Sequence, residues 1–352
     1  MLQPLDKLDI IITIFNQEEI IEKVIYSIFR NTTTSFDLIL VFDGCTDRTK
    51  PRALKYIKKV KPPLLRELIV RDTPNLFELR ANNFAFKLAR NNYLITVQDD
   101  MVINEYGWER RLTYPLRKFD DVLAVTARIA ENIKTIGMEK EEHGNSAGLE
   151  LNTLPRNIFA VRDVINRGPI AFRADYLKEL NYLNDIYAPG AKDDSEISLR
   201  AWIQKRWKVG AFWIRYISKQ EWSKVNAPDS TMKAWESCSR NQIRIYEDFK
   251  EYLDSMIKHD EDITIKEGEV DYIAEKYSFL NKIMWVGKYP LRVDRRYIKT
   301  LWQMKKRYMA EIVKSYILKL LQIIIGTRLG ELSRQYGFKK AIYLFLKENM
   351  VR

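Results

Sequence analysis

The fold is decided by residues 93–100, which read Tyr93-Leu-Ile-Thr-Val-Gln-Asp-Asp100. The segment from Tyr93 to Val97 has the apolar and β-branched residues of a buried strand. Two carboxylates, Asp99 and Asp100, follow almost at once. They cannot both enter the core, because a buried, unpaired charge is very costly. They must be solvated, cap a helix or hold a cation.

Strand-like apolar runs precede this segment, and stretches with helical periodicity separate them. The predicted strands are 9–15, 36–42 and 66–71. One predicted helix begins after Asn16, which would cap it, and a second spans 78–90. Strands and helices in alternation predict the α/β class, with a Rossmann-like, mostly parallel sheet flanked by helices. Ligands bind such sheets beyond the carboxyl ends of the strands. Asn16, Asp43 and Asp100 all lie at predicted strand ends.

Composition limits the class of protein. The chain has 352 residues, of which 46% are hydrophobic and 30% charged, enough for one sizeable α/β domain plus an appendage. No apolar stretch reaches the length of a spanning helix, and residues 1–8 lack a signal pattern. Two distant cysteines, Cys45 and Cys238, suit a reducing compartment. We therefore expect a cytoplasmic protein, with peripheral attachment at the inner face of a membrane left open.

The pair Asp99 and Asp100 is a candidate metal site. Hard carboxylate oxygens select Mg²⁺ or Mn²⁺, and these ions bridge the phosphates of nucleotides. The alternative is that the pair only ends the strand and caps the helix near Trp108.

Asp43 ends the second predicted strand, within Phe42-Asp-Gly-Cys-Thr-Asp47. A carboxylate at this position can accept hydrogen bonds from the ring N–H of a base or from ribose hydroxyls. The alternative is a simple turn, since Asp-Gly is ordinary turn chemistry.

Two further acids stand at the start of a helix predicted over 194–204, in Lys192-Asp-Asp-Ser-Glu-Ile-Ser-Leu-Arg200. Pro189-Gly190 precedes them as a turn. A carboxylate aimed at the mouth of a cleft suits a general base for a hydroxyl nucleophile. N-capping of the helix by Asp193 or Asp194 is the alternative.

In this order, the motifs resemble the family 2 glycosyltransferases of the GT-A fold, across roughly residues 8 to 225. Residues 12–18 look like the family's V-I-P-x-Y-N-E-E, and residues 41–47 like V-D-D-G-S-T-D. Asn75 and residues 81–83 occupy the positions of the family's N-x-G…A-R-N, and residues 97–100 occupy those of its D-x-D. Residues 167–173, followed by 193–200, are similar to its G-x-x-x-F-R…E-D-x-D-L-x-x-R.

The resemblance implies a metal-dependent, inverting transferase. It would move a sugar from a nucleotide-diphosphate sugar to a hydroxyl of a glycan or a lipid-linked acceptor. By the same resemblance Asp194 is the catalytic base, and Asp100 holds Mn²⁺ or Mg²⁺. The implied nucleotide-sugar contacts are Thr13, Phe15, Glu18, Asp43, Asn75, Asn83 and Asp99.

The resemblance also predicts the domain organisation. A GT-A catalytic domain is expected over 1–225, with nucleotide-sugar binding in 8–103 and the acceptor and catalytic part in 104–225. A mainly helical extension is expected over 226–352, first acidic and then strongly basic.

Departures from the family pattern keep other functions open. Gln98 replaces the first carboxylate of the D-x-D, which keeps open a degraded relative that binds sugar or acts as a scaffold, although the intact Asp100 and Asp194 argue against it. No histidine follows the base helix, where many members place a metal or phosphate contact, and Glu221 is the candidate substitute. A nucleotidyltransferase is a further alternative. It would need a glycine-rich phosphate loop after the first strand, and residues 15–18 contain no glycine.

The net charge of +12 lies near the C-terminal end, since residues 281–352 contain 17 Lys or Arg against 4 Asp or Glu. Segment 297–328 interleaves these cations with apolar residues, which is typical of basic amphipathic helices on anionic membranes. The alternatives are helices that pack on the catalytic domain with a solvated basic face, or an oligomer contact. No nucleic-acid-binding motif accompanies the charge, so we expect no nucleic-acid partner.

Overall fold

The computed structural model divides the chain into two compact units, Met1–Gly287 and Lys288–Arg352. It describes residues 2–128, 130–133, 155–218, 228–255 and 260–270. Three predictions lie outside the described residues: Glu221 as a substitute ligand, the basic helices over 297–328, and most of the helical extension over 226–352.

The described residues contain seven α-helices and thirteen strands. The first part of the chain has β1 (Lys7–Ile14), α1 (Ile21–Asn31), β2 (Ser35–Asp43), α2 (Thr49–Val60), β3 (Leu65–Thr73), α3 (Phe77–Phe86), β4 (Tyr93–Thr96), β5 (Met101–Ile103) and α4 (Trp108–Lys118). The second part has β6 (Val122–Thr126), β7 (Ala130–Glu131), β8 (Ile158–Arg162), β9 (Val164–Ile165), β10 (Ile170–Arg173), α5 (Ala174–Glu179), α6 (Asp193–Lys205), β11 (Lys208–Phe212), β12 (Tyr216–Ser218), α7 (Pro228–Asp254) and β13 (Glu261–Thr264). Short 3₁₀ helices occupy Asp185–Tyr187 and Glu267–Glu269.

Nine of these described strands form one sheet, in the order β13-β8-β11-β6-β10-β4-β1-β2-β3. Strands β1 to β4 are parallel to one another, as predicted, and β11 is parallel to β6. Strand β10 runs antiparallel between β4 and β6, and β8 is antiparallel to both of its neighbours. The predicted α/β class is confirmed, with a sheet that is mixed beyond β4.

Both faces of the sheet are covered, and β1 shows why. Its side chains alternate between the faces, as in any strand. Ile10 and Ile12 join one core cluster, and Ile11 joins the other. All three are at most 1% exposed. A strand with two buried faces has a continuous apolar sequence rather than an alternating one, which is why β1 could be predicted.

Two predicted helix boundaries are wrong. Asn16 does not cap α1, which begins at Ile21, because its side-chain oxygen accepts instead from the backbone N–H of Thr46 at 2.8 Å. Helix α3 ends at Phe86 rather than at residue 90. Beyond it, the backbone N–H groups of Arg90 and Asn91 donate to the buried Asp9 carboxylate, which draws the chain back to the sheet.

Among the described residues, no helix is both long enough and apolar enough to span a membrane.

Candidate active site

The candidate site lies at the edge of the sheet where the parallel strands β1, β2 and β4 end. Because β10 is antiparallel to β4, the residues before β10, including Arg167, are brought to this same edge. Helix α6 starts there as well, since the backbone N–H of Arg167 donates to Asp194 at 3.0 Å. The start of α6, which was not among the predicted strand ends, therefore lies at the same edge as Arg167.

Asp99 joins the end of β4 to the end of β1. One carboxylate oxygen accepts from the backbone N–H of Phe15 at 2.8 Å, and the other accepts from the Gln17 side chain at 3.4 Å. Burial and the neighbouring charge of Asp100 raise the pKa of Asp99 well above its ordinary value of 3.8. The structure thus brings together Phe15, Asp99 and Asp100, three of the predicted site residues.

Asp100 is the candidate metal ligand at the end of β4. Asp100 is 7% exposed, and its neighbour Asp99 is engaged with the β1 backbone. Within the described ranges, no group of three or more His, Cys, Asp or Glu residues is placed to hold an ion. Asp100 offers one hard oxygen donor of the type that Mg²⁺ and Mn²⁺ accept. It therefore fits an ion that arrives with ligands of its own, such as a diphosphate, better than an ion held by protein alone.

Asp43 and Asn75 meet at the ends of β2 and β3. One oxygen of the buried Asp43 carboxylate accepts from the Thr73 hydroxyl at 2.8 Å and from the backbone N–H of Leu76 at 2.6 Å. Gly44 has φ +69°, and a Cβ added there would lie 2.6 Å from the Asn75 Cβ. The exposed Asn75 thus packs directly over the turn that follows Asp43.

Thr13 lies on β1, and its hydroxyl donates to the Asn82 side chain at 3.1 Å. Glu18 lies between β1 and α1, and it contacts the start of α2. It accepts from the backbone N–H of Arg48 at 3.0 Å, and hydrogen bonds from Arg48 lower its pKa. Glu18 also donates from its own backbone N–H to Asp47 at 3.1 Å. Its role as a nucleotide-sugar contact stays a prediction.

Asn83 is placed on the side of α3 that faces the loop before α6. Its buried amide donates to the carbonyl of Leu183 at 2.8 Å and to Asp185 at 2.9 Å. Its side-chain oxygen accepts from the backbone N–H of Leu183 at 2.9 Å. In this position Asn83 holds segment 183–185, and its predicted contact with the nucleotide stays a prediction.

Asp194 is half-buried in the first turn of α6. One oxygen accepts from Arg167 N–H, and the other accepts from the backbone N–H of Ser195 at 2.8 Å. Burial raises the pKa of Asp194 above its ordinary value, and the positive charge of Arg167 opposes that rise. Lys192 is the residue before the helix, so both acids lie inside the first turn rather than at the capping position.

A chain of charges crosses the cleft and was missed by sequence reasoning. The Arg167 guanidinium pairs with the buried Asp193 and with Glu78 of α3. Gln98 donates from its side-chain amide to the same Glu78 carboxylate at 2.9 Å. An aspartate in place of Gln98 would repel Glu78, so the departure from D-x-D matches its surroundings. That departure was the one available signal for Glu78.

Hydrogen-bond donors, hydrogen-bond acceptors and ionisable side chains line the cleft between these groups. Its polar lining comes from Thr13, Glu78, Asn82, Gln98, Arg167 and Asp194. The structure therefore brings Thr13, predicted to contact the nucleotide sugar, and Asp194, predicted to be the base, into one cavity. Fold and cleft together define an α/β protein with a polar cleft at the carboxyl ends of parallel strands, which is where such sheets bind ligands.

Comparison with protein families gives this class a name. Residues 9–178 match the family described as Glycosyl transferase family 2. Residues 9–178 therefore form a family 2 glycosyltransferase domain. A comparison with curated proteins finds no match.

Three solved structures show limited similarity to this chain. TarS from S. aureus with UDP is 14% identical, with 59% of each chain covered and a TM-score of 0.41. The mannosyltransferase PcManGT from Pyrobaculum calidifontis, with GDP-Man and Mn²⁺, is 12% identical, with 67% of this chain and 66% of its own covered and a TM-score of 0.44. GalNAc-T7 with UDP, GalNAc and Mn²⁺ is 15% identical, with 58% and 42% covered and a TM-score of 0.45. This chain spans 38% of the longer TarS chain. With TM-scores below 0.5, none of these structures defines the ligands of this chain.

Proposed function

We propose that this protein transfers a sugar from a nucleotide-diphosphate sugar to a hydroxyl of a glycan or lipid-linked acceptor, with inversion at the anomeric carbon. The observation that carries the proposal is the position of Asp194. Its carboxylate is half-buried and lines the same cleft as Thr13 at the end of β1. A base is thus set beside the strand ends where a nucleotide would lie.

The donor is assigned to the ends of β1, β2 and β4. Asp43 supplies a buried carboxylate for the nucleoside, with Asn75 over the same turn. Asp99 lies against Phe15 and is proposed to contact the ribose or the donor sugar. Thr13 lines the cleft beside Asn82 and completes this side.

Asp100 is proposed to hold Mn²⁺ or Mg²⁺ together with the diphosphate of the donor. When bound, such an ion neutralises charge on the leaving group. The support is the hard oxygen of Asp100 at the end of β4. Asp99 contributes less to the ion, because its oxygens accept from the backbone N–H of Phe15 and from the Gln17 side chain.

Asp194 is proposed to take the proton of the acceptor hydroxyl. The hydroxyl oxygen forms a bond to the anomeric carbon, the bond from that carbon to the diphosphate oxygen breaks, and the nucleoside diphosphate leaves with the electron pair. One such displacement inverts the configuration. Burial raises the pKa of Asp194, which brings its basicity closer to that needed near neutral pH.

A panel of nucleotide sugars, assayed with Mn²⁺, Mg²⁺ or EDTA, tests the proposal. The variants are Asp194→Asn and Asp100→Ala, with Asp175→Asn as a control, because Asp175 is an exposed acid in the first turn of another helix. We expect turnover with one donor, a loss of about 10²- to 10⁴-fold in Asp194→Asn with the donor still bound, and a weaker response to metal in Asp100→Ala. The control should match the wild type.

Turnover that is unchanged in Asp194→Asn would contradict the assignment of the base. If no donor is turned over but one still binds, the alternative of a sugar-binding or scaffold protein replaces the transferase. Gln98, already paired with Glu78, is the feature that this alternative rests on.

We also propose that segment 297–328 contacts an anionic membrane surface, and its alternation of cations with apolar residues supports this. The full-length protein should float with vesicles that contain an anionic lipid and remain behind with neutral vesicles. Binding that is equal on both kinds of vesicle, or absent from both, would contradict the proposal.

A further inference from the structure

The loop that leads to Asp194 has a backbone conformation that residues with a Cβ rarely adopt. Ala191 has φ 70° and Lys192 has φ 65°, and both precede the first turn of α6 directly. The left-handed region is disfavoured for such residues because Cβ approaches the following carbonyl. Two consecutive residues of this kind persist only where their surroundings fix them.

Asn241 of α7 supplies that constraint. It is 0% exposed, and its side-chain amide donates to the carbonyls of Tyr187 at 2.8 Å, Gly190 at 3.1 Å and Ala191 at 2.9 Å. These carbonyls belong to the turn itself. Buried backbone carbonyls need a hydrogen-bond donor, and this turn obtains it from a side chain about fifty residues away in sequence.

Ser237 supports the same turn from one helical turn earlier on α7. Its hydroxyl donates to the Gly190 carbonyl at 3.0 Å, and the residue is 3% exposed. On the other side, the backbone N–H of Leu79 in α3 approaches the Pro189 carbonyl at 3.4 Å. The loop is therefore held between α3 and α7, with the stronger set of contacts on the α7 side.

We propose that Asn241 is a positioning residue of the transferase: it holds the turn at Ala191 and Lys192 and so places Asp194 against the N–H of Arg167. The inference rests on the proposed role of Asp194 as the base. It also assigns part of the active site to α7, which lies beyond residues 9–178, the span that matches the family.

The test uses the full-length protein and compares Asn241→Leu with Arg244→Ala. Leucine has a similar volume but no donor. Arg244 lies on the same helix and donates to the Ile186 carbonyl at 2.9 Å, outside the left-handed pair. We expect kcat to fall about 10- to 100-fold in Asn241→Leu, with the Kd for nucleoside diphosphate unchanged, because only the base is misplaced. Arg244→Ala should keep the wild-type kcat.

Two readouts separate positioning from a general loss of stability. The acidic limb of the kcat profile should shift in Asn241→Leu, because a displaced Asp194 changes both its burial, which raises its pKa, and its contacts with Arg167, which lower it. Adding Ala191→Gly to Asn241→Leu should restore several-fold of the lost kcat, because glycine adopts the left-handed conformation without steric cost. A lower Tm with unchanged kcat and pH profile, or no rescue by glycine, would overturn the proposal.

Two further variants keep the inference testable. If Asn241→Leu does not fold, Ser237→Ala removes only one bond to Gly190 and should lower kcat by a few-fold, and wild-type kcat would contradict the proposal. Asp194→Asn in the same assay separates the two claims. If Asp194→Asn is active, the base assignment fails and the inference fails with it. If Asp194→Asn is inactive but Asn241→Leu turns over like the wild type, only the inference fails.

Discussion

The turns that follow β1 and β2 and the loop that precedes α6 are held by contacts of different range. On the nucleotide side, Asp43 accepts from Thr73 and Asn16 accepts from Thr46, and each pair is 30 positions apart in sequence. On the base side, Asn83 and Leu183 are 100 positions apart, and Asn241 and Tyr187 are 54 apart. Neighbouring parallel strands build the first side, whereas α3, α7 and the start of β10 together build the second.

This difference determines what a sequence motif can show. Residues held by the adjacent strand recur in a short, ordered pattern, because the strand–helix–strand spacing fixes their separation. Residues that hold Asp194, the proposed base, come from elements with no fixed spacing. A motif therefore identifies Asp194 but not the side chains that hold it. Variants on the two sides should therefore differ in whether they change nucleotide affinity or the free energy of unfolding.

The largest effect is expected for Arg167→Ala. The change removes the cation that pairs with Asp193, which is 1% exposed, and with Glu78. Breaking a buried pair leaves an uncompensated charge, so the free energy of unfolding should fall by about 3–5 kcal/mol in chemical denaturation. Lys50→Ala, which breaks an exposed pair with Asp72, should cost at most about 1 kcal/mol. Equal losses in the two variants would contradict the base-side network.

Asp43→Ala should act on affinity rather than on turnover. The Kd for nucleoside diphosphate should rise about 10- to 100-fold, because hydrogen bonds to a charged group contribute about 1.5–3 kcal/mol. Calorimetry measures the Kd. Asp72→Ala is the matched control, since Asp72 lies in β3 beside this turn but is exposed and paired with Lys50. A wild-type Kd in Asp43→Ala would remove Asp43 from the donor site.

The variant Asn83→Ala tests whether Asn83 contacts the nucleotide or only holds segment 183–185. Loss of its buried bonds to Leu183 and Asp185 should lower the free energy of unfolding by about 1–3 kcal/mol and leave the Kd for nucleoside diphosphate unchanged. Asn82→Ala, next in the chain but lining the cleft, should show the opposite pattern. Weaker nucleotide binding with unchanged stability in Asn83→Ala would confirm the sequence-based role instead.

The smallest effect is expected for the pH dependence of stability at Asp9, near the start of β1. Burial raises the pKa of Asp9 above its ordinary value of 3.8, so the folded protein keeps this proton to higher pH than the unfolded chain. Its contribution to stability is therefore greatest below pH 3.8, declines up to the folded pKa and is constant above it. Asp9→Asn should flatten this part of the unfolding free energy measured from pH 4 to 7, without changing kcat. An unchanged pH dependence would show that Asp9 titrates normally.

Much of the fold follows from local pattern. Strands β1 to β4 lie within two residues of their predicted bounds, because buried strands are continuous apolar runs. The direction of β10 was not predictable, since the run at 170–172 indicates a strand but not its orientation. The direction matters, because it brings Arg167 to the site. Asn16 had the residue type of a helix cap, but a tertiary contact with Thr46 prevailed.

The candidate site could be predicted from the sequence where a residue type has few structural roles at its position. Adjacent acids after a strand, or before a helix, had to be explained, and Asp99, Asp100 and Asp194 follow from that requirement. Glu78 and Asn241 lie on ordinary helices with no local anomaly, so only the tertiary structure reveals their partners. Asn83 matched its motif by position, but its contacts depend on a loop 100 residues later.

Gly44 has a consequence for redesign of the donor preference. At φ +69°, and with Asn75 against the place of a Cβ, no other amino acid fits this turn without displacing the backbone. A library that randomises the turn after β2 would discard most of its members at this position alone. Asn75 is itself held at φ 38°, a conformation that asparagine and glycine tolerate and most other residues do not, so the same restriction applies to both partners of this contact.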